Sequence, residues 1–270
     1  MRRSLGILLG TLLGATAALA QTAPNASPAA PSNATPPTAA SPAPTAAAPA
    51  SPAPAAAAPG ATVPNTIGQR VAACAICHGK DGEGARKNDY YPRLAGKPVE
   101  YLYNQLLGFR EKRRASSPIM TYMVGGLSDT YLHEIAGYYA ALRPPFPTPS
   151  PRADTDRLTL GQTLAMRGDP ARDIPSCASC HGTALAGLLP AVPGLIGLYP
   201  DYIGAQLGAW KDGKRNSAAP DCMARIASRL SGEDISAVAA FLATQPASPD
   251  TPLAAAGSLK LPLECGGAPR

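Results

Sequence analysis

The sequence predicts an all-α protein built from two tandem helical domains. Three observations carry this prediction: apolar residues recur at helical spacing, no segment shows a convincing strand pattern, and one set of motifs occurs twice. About 200 of the 270 residues are expected to fold, which suits two domains of ordinary small size. Cores of that size usually need a metal, a disulfide or a cofactor for stability.

The duplication is visible in motifs that return in the same order. A Cys-x-x-Cys-His motif at 74–78 returns at 177–181, an offset of 103 residues. A Pro-x-Leu-x-Gly motif at 92–96 returns at 193–197, which indicates that the two halves share one fold. The further pairs are Tyr101 with Tyr202, Gln105-Leu106 with Gln206-Leu207, Met120 with Met223, and Leu127-Ser128 with Leu230-Ser231.

Each copy is predicted to contain three main helices. The last helix of the second copy has a capping-box start at Ser231 and Asp234, and the last helix of the first copy stops before Pro144. We expect the helices at 68–75, 99–112 and 128–142 in the first copy, and at 158–168, 200–212 and 232–244 in the second.

Composition divides the rest of the chain. Residues 1–20 have the basic start, apolar stretch and small-residue cleavage site of a secretory signal peptide, with an uncleaved anchor as the alternative. Residues 21–64 are almost entirely Ala, Pro, Ser and Thr, which predicts a disordered spacer that is either a tether or a solubilising tail. The remaining predicted segments are a first domain at 65–143, a Pro-rich linker at 144–157, a second domain at 158–245 and a C-terminal tail at 246–270.

The Cys-x-x-Cys-His motif is the attachment signature of a c-type haem. Two cysteines three residues apart at the end of a helix each reach one vinyl group of a porphyrin, and the adjacent histidine falls under the iron. A redox dithiol and a zinc site are the alternatives for a single motif, whereas two motifs in an exported chain favour haem. We predict two covalently bound haem c groups, attached through Cys74, Cys77, Cys177 and Cys180, with His78 and His181 as axial iron ligands.

Two methionines are the candidates for the sixth iron ligand. Met120 and Met223 each stand seven residues before the repeated Leu-Ser motif, and core packing is the alternative role for either. Met123 has no counterpart in the second copy. His133 corresponds to Ser236, so we interpret it as a surface histidine.

These motifs resemble those of the cytochrome c4 family, the dihaem class I cytochromes c, over residues 66–245. The resemblance rests on the segment 74–82, the Pro-x-Leu-x-Gly motif, Tyr101, Met120 and the second copy of each. It implies two class I cytochrome c domains related by a pseudo-twofold axis, His/Met ligation of both haems, and an electron-shuttle role toward respiratory oxidases. The Ala/Pro spacer, the tail with Cys265 and the placement of Cys222 beside Met223 depart from the family pattern.

Charge is distributed unevenly over a chain of net charge +6. Residues 66–143 hold 11 Lys/Arg against 7 Asp/Glu, whereas residues 158–245 hold 7 against 7. The excess predicts that an acidic protein partner docks on the first domain, and the export signal argues against nucleic acid. The basic clusters at 110–114 and 211–215 are interpreted as solvated helix ends, as partners of a haem propionate, or as contacts for a redox partner.

Cys222 and Cys265 remain after four cysteines are assigned to haem. An exported chain lies in an oxidising compartment, so we predict that these two form a disulfide, with free thiols or an intermolecular bridge as alternatives. The bond would fasten the tail to the loop that carries Met223.

The function predicted from these residues is electron transfer in the periplasm, with no catalytic residue. The expected partners are a respiratory dehydrogenase or cytochrome complex as donor and a terminal oxidase as acceptor, with no stable membrane insertion after signal cleavage. A cytochrome subunit of a membrane dehydrogenase or oxidase complex is the alternative. A dihaem peroxidase is less favoured, because it needs an open iron site and an acid–base group beside it.

Overall fold

The computed structural model describes residues 65–85, 88, 90–149 and 154–268. All of them belong to one compact unit that spans Gly60–Arg270. The predicted signal peptide and spacer lie outside the described residues. We call residues 65–143 the first lobe, residues 154–245 the second lobe and residues 246–268 the C-terminal tail.

The first lobe is helical, and its core forms where its third helix packs against its fifth. On the fifth helix, Leu132 and Tyr139 are fully buried. Ser128 begins that helix by accepting a hydrogen bond from the amide of Tyr131. The helices are α1 (Ile67–Arg70), α2 (Ala72–His78), α3 (Val99–Arg110), α4 (Pro118–Val124) and α5 (Asp129–Ala141).

The second lobe repeats this plan and adds a short antiparallel β-pair. Its helices are α6 (Thr155–Met166), α7 (Ala178–His181), α8 (Pro200–Lys211), α9 (Cys222–Ala227) and α10 (Gly232–Thr244). Strands β1 (Gly187–Leu188) and β2 (Val192–Pro193) lie between α7 and α8. Ser231 and Asp234 form the predicted capping box at the start of α10.

Helices α6 and α10 approach each other closely. A Cβ atom added at Gly161 would lie 2.1 Å from the carbonyl oxygen of Ala237, so this crossing requires glycine. Helix α6 starts at Thr155, where Asp154 accepts a hydrogen bond from the amide of Arg157. The helix therefore begins three residues before the predicted position 158.

The two lobes meet at the turns that follow α3 and α8. Arg114 and Arg215 face each other there as an isolated antiparallel bridge. The amide of Ala115 donates to the carbonyl of Lys214 over 2.8 Å, and the amide of Asn216 donates to the carbonyl of Arg113 over 2.8 Å. Main-chain hydrogen bonds therefore join the lobes at repeat-related positions.

The start of the linker contacts both lobes. The Arg93 guanidinium donates to the carbonyls of Pro144 and Pro145 and lies 3.9 Å from the centroid of the Phe146 ring. A Cβ atom at Gly197 of the second lobe would lie 2.2 Å from Cδ1 of Phe146. Phe146 thus contacts both lobes and fixes the path of the linker.

The all-α prediction with two lobes is confirmed, and three details are corrected. The β-pair was not predicted, because two-residue strands are too short to show alternation. The predicted helix at 68–75 is two helices, α1 and α2. The methionines predicted to lie on loops or in unassigned segments lie on α4 and α9. No helix within the described ranges is long and apolar enough to cross a membrane.

Candidate haem sites

The histidine of each motif is held in one orientation by a main-chain carbonyl. Nδ1 of His78 lies 2.9 Å from the carbonyl oxygen of Pro92. A carbonyl oxygen accepts but does not donate, so Nδ1 carries the proton and Nε2 keeps a free lone pair. Burial lowers the pKa of His78 against the opposing effect of this hydrogen bond, which favours the neutral ring that a metal requires.

The second lobe repeats this arrangement. Nδ1 of His181 lies 2.7 Å from the carbonyl oxygen of Pro193, and burial lowers the pKa of His181 in the same way. Pro92 and Pro193 are the first residues of the repeated Pro-x-Leu-x-Gly motif. Sequence reasoning used this motif as a sign of duplication but missed its role, which is to orient the histidine.

The predicted residues of the first lobe meet in one cavity of about 700 Å³. Cys74, Cys77, His78 and Met120 all line it, and so does Met123. Met120 packs against the core cluster of the lobe, whereas Met123 is largely at the surface. Met120 therefore lies somewhat deeper in the lobe than Met123, and its role as the ligand stays a prediction.

The second lobe has a smaller cavity of about 210 Å³ with the matching set of residues. Cys177, Cys180, His181 and Met223 line it, and Met223 packs against the core of the lobe. Each lobe therefore brings two thiols, one imidazole and at least one thioether to a single space.

The electrostatics of the thiols argue against a redox dithiol. Such a pair needs a lowered thiol pKa, whereas burial raises the pKa of Cys74 and raises that of Cys177 to about 11. In the part of the chain that the structure describes, no group of three or more His, Cys, Asp or Glu side chains could hold a metal ion, which also disfavours zinc.

Comparison with protein families identifies the fold. The family model described as Cytochrome c matches residues 66–137 and 158–246, more than half of the chain. The chain belongs to the cytochrome c family. This family implies covalent haem c as the cofactor and electron transfer as the function.

Known relatives of this cytochrome place it near cytochrome c4. It is 39% identical to a thiosulfate dehydrogenase electron acceptor of Thiomonas intermedia, over 66% of this chain and 81% of that one. The structure of reduced cytochrome c4 from Pseudomonas stutzeri matches with a TM-score of 0.57 and 28% identity, over 67% of this chain and 97% of that one. The thiosulfate dehydrogenase TsdBA of Marichromatium purpuratum matches with a TM-score of 0.57 and 36% identity, over 64% of this chain and 36% of that one.

The space between the lobes of this cytochrome contains buried cations that fit haem propionates. Lys97, Arg114 and Arg215 are all buried, and none of them forms an ion pair with a described carboxylate. Lys97 and Arg114 line both cavities, and Arg215 lines the second. Buried cations require nearby anions, and each haem carries two carboxylates.

Hydrogen bonding at these cations is symmetric but incomplete. Arg114 donates to Gln105 and Gln206, and Arg215 donates to the same two amides and to the hydroxyl of Tyr101. The Nε atoms of Arg114 and Arg215 are buried and have no partner, and neither has Nε1 of Trp210. Unpartnered buried donors around the cavities are what a propionate-bearing cofactor would satisfy, so the residues fit haem.

This burial changes the interpretation of the basic clusters. Arg114 and Arg215 are neither solvated helix ends nor contacts for a partner, because they lie between the lobes. Arg93, Lys97 and Arg114 of the first lobe are all buried, and they account for most of its +4 excess. The positive charge that predicted an acidic partner is therefore largely inside the molecule.

Two other cations of the clusters hold the segments that carry the methionines. Arg110 donates to the carbonyl of Leu127 over 2.9 Å, and Nζ of Lys211 donates to the carbonyl of Leu230 over 2.7 Å. Both carbonyls belong to the repeated Leu-Ser motif that follows each methionine. His133 is half exposed, at the surface position that was predicted for it. Its Nε2 lies 3.1 Å from the carboxylate of Glu100.

The C-terminal tail forms part of the wall of the second cavity. The amide of Ala254 donates to the carbonyl of Gly187, and the amide of Gly266 donates to the carbonyl of Pro220. Cys222 and Cys265 are joined in a disulfide, which places the end of the tail beside Met223. The tail residues that line the cavity are Leu261, Cys265, Gly267 and Ala268.

Proposed function

We propose that this cytochrome is a periplasmic dihaem carrier that accepts single electrons from a thiosulfate dehydrogenase and delivers them toward a terminal oxidase. The observation that carries the carrier role is the convergence of two cysteines, a histidine and a methionine on one cavity in each lobe. The donor is inferred from the relatives, since two are named as electron acceptors of thiosulfate dehydrogenase.

Haem c, when bound, supplies an iron that alternates between the ferrous and ferric states. The chain would hold it through thioethers at Cys74 and Cys77 in the first lobe and at Cys177 and Cys180 in the second. His78 and His181 would present Nε2 to the iron, because the carbonyls of Pro92 and Pro193 fix Nδ1.

Met120 and Met223 are proposed as the second iron ligand of each lobe, since both are partly buried against the core of their lobe. A thioether opposite a neutral imidazole favours the reduced state, which suits a carrier in an oxidising chain. With a histidine and a methionine both held by the iron, no position would remain for a substrate. This ligand set supports a carrier over a peroxidase.

The contact between the lobes supports movement of electrons within one molecule. Main-chain hydrogen bonds and the pair of buried arginines fix the separation of the two cavities. Both cavities reach Lys97 and Arg114, so they share one wall. Two sites that share a wall would allow an electron received at one to reach the other.

A second candidate is a cytochrome subunit of a dehydrogenase complex. The structural match to thiosulfate dehydrogenase TsdBA favours it, because this chain matches a 36% part of that longer chain. The two candidates differ in whether the protein stays bound to its donor during purification, and copurification with a dehydrogenase would favour the second.

Stopped-flow absorbance tests the proposed donor. The oxidised protein is mixed with thiosulfate and a purified thiosulfate dehydrogenase, and the α-band of reduced haem c is recorded. We expect reduction that requires both thiosulfate and the dehydrogenase. Absence of reduction with an active dehydrogenase would reject thiosulfate dehydrogenase as the donor.

A further inference from the structure

The first lobe exposes large apolar side chains beside its haem attachment motif. Ile76, within the motif, is 84% exposed, and Tyr122 and Ile119 on α4 are 83% and 56% exposed. Tyr90 and Met123 are exposed as well. We call these five residues the apolar rim.

The apolar rim surrounds the mouth of the first cavity. Four of its members line that cavity together with Cys77 and His78, and these four are Ile76, Tyr90, Ile119 and Met123. Residues that line a cavity and also face solvent mark its opening. Isolated exposed apolar residues are ordinary, but a group of them around one opening indicates an interaction site.

The second lobe has no such rim at the equivalent positions. At the offset of 103 residues, Ile76 corresponds to Ser179 and Ile119 to Cys222, which is in the disulfide. Tyr122 corresponds to Arg225, which pairs with Asp173 over 2.7 Å. The tail also lines this cavity, so the chain itself covers the surface that the first lobe leaves open.

Exposed charge on the described part of the first lobe is balanced, and this bears on the partner's chemistry. Among the described residues of the first lobe that are not buried, six are basic and six are acidic. The basic ones are Arg70, Lys80, Arg110, Lys112, Arg113 and Arg143, and the acidic ones are Asp81, Glu83, Glu100, Glu111, Asp129 and Glu134. A neutral apolar surface is complementary to another apolar surface, and it offers no net attraction to a charged one.

We propose that the apolar rim is the docking surface for the electron donor, so that electrons enter through the first lobe. The partner is a redox protein that presents an uncharged apolar face around its own redox centre. This inference rests on the proposed function, because it assigns that function's donor to one of the two lobes. The second lobe, closed by the tail, is the internal acceptor.

Reduction kinetics with a rim variant test the assignment. Ile119→Ser combined with Tyr122→Ser removes two rim side chains without touching a proposed ligand. Leu189→Ser is the matched control, because Leu189 is an exposed apolar residue of the second lobe. The haem-loaded full chain is mixed with a purified thiosulfate dehydrogenase and thiosulfate, and the bimolecular rate constant is measured at several salt concentrations.

We expect the rim variant to react about tenfold more slowly, and the control at the wild-type rate. The wild-type rate should change less than about twofold with salt, since charge contributes little to docking. Absorbance spectra and midpoint potentials of the rim variant should match the wild type, which separates docking from an effect on the iron.

Each other outcome rejects the inference in a recognisable way. Equal rates for the rim variant and the wild type reject the docking site while the proposed function stands. A wild-type protein that the dehydrogenase does not reduce rejects both. A wild-type dimer in sedimentation that the rim variant abolishes shows that the rim binds a second copy instead.

Discussion

The two lobes bring the same proposed haem ligands to their cavities but close those cavities differently. In both, a proline carbonyl orients the histidine, and the basic last residue of the middle helix donates a hydrogen bond to the Leu-Ser segment. Around the cavities the lobes differ, because the first has the exposed apolar rim and the second has the tail, a disulfide and ion pairs. The two copies therefore share the residues proposed to hold haem and differ in the residues around the cavity mouth.

The largest difference should appear when the disulfide is removed. The disulfide joins two residues that are 43 positions apart. In the chain-entropy model such a bond stabilises the folded protein by about 4 kcal/mol, and Cys265→Ser removes this contribution. We expect the second haem to lose its methionine ligand at a lower temperature than the first, as measured by the near-infrared sulfur-to-iron band of the ferric protein.

Wild type with intact disulfide is the reference, and Ser258→Ala is a control substitution elsewhere in the tail. If the melting of the second haem's methionine band is unchanged in Cys265→Ser, the tail does not stabilise that side of the cavity.

A glycine pair gives a smaller and sharper test of the packing of the lobes. Gly161 and Gly68 each precede a glutamine near the start of a lobe, but only at Gly161 does a Cβ meet backbone atoms. We expect Gly161→Ala to lower the free energy of unfolding by about 1–3 kcal/mol, because the added methyl group overpacks the contact between α6 and α10.

Gly68→Ala is the matched variant, and it should be neutral or stabilising by up to about 1 kcal/mol, because alanine favours helix and the site is open. The stability of both variants is measured by thermal unfolding of the haem-loaded protein. Equal destabilisation by the two substitutions would contradict the close crossing of α6 and α10.

The smallest effect concerns acid stability of the second lobe. The Arg172 guanidinium donates a hydrogen bond of 2.6 Å to the Asp234 carboxylate. This bond holds the pKa of Asp234 below its usual value. The resulting stabilisation is complete above the unfolded-state pKa and is lost as the pH falls through the folded-state pKa. Asp234→Asn should therefore cost about 1 kcal/mol at pH 7 and much less at acidic pH.

The first lobe supplies the comparison, because Tyr131 occupies the position equivalent to Asp234. Asp129→Asn, an exposed carboxylate on α5, should have little effect at either pH. An Asp234→Asn penalty that stays constant between acidic and neutral pH would rule out the ionic contribution.

Sequence reasoning reached the parts of the site that depend on local spacing. The cysteines and histidine are adjacent in the chain, and Met120 and Met223 are set apart from the other methionines by the repeat. The main helices follow from apolar periodicity and caps, and α10 was predicted with its observed bounds, Gly232–Thr244.

Features that depend on contacts distant in sequence could not be predicted in this way. Arg114 and Arg215 are buried because residues about a hundred positions apart meet at the interface between the lobes. A charge count treats both as surface cations, and counting Arg114 in this way contributed to the first-domain excess that predicted an acidic partner. The closing of the second cavity by the tail likewise requires the tertiary position of residues 254–268.

The central claim is that each lobe holds one haem between a histidine and a methionine. Near-infrared absorbance of the ferric protein tests it most directly, because a sulfur-to-iron band reports each Fe–S(Met) bond. We predict that Met120→Ala and Met223→Ala each remove about half of the band and that Met123→Ala leaves it intact. A band that is halved by Met123→Ala, or unchanged in either of the other two variants, would contradict the assignment.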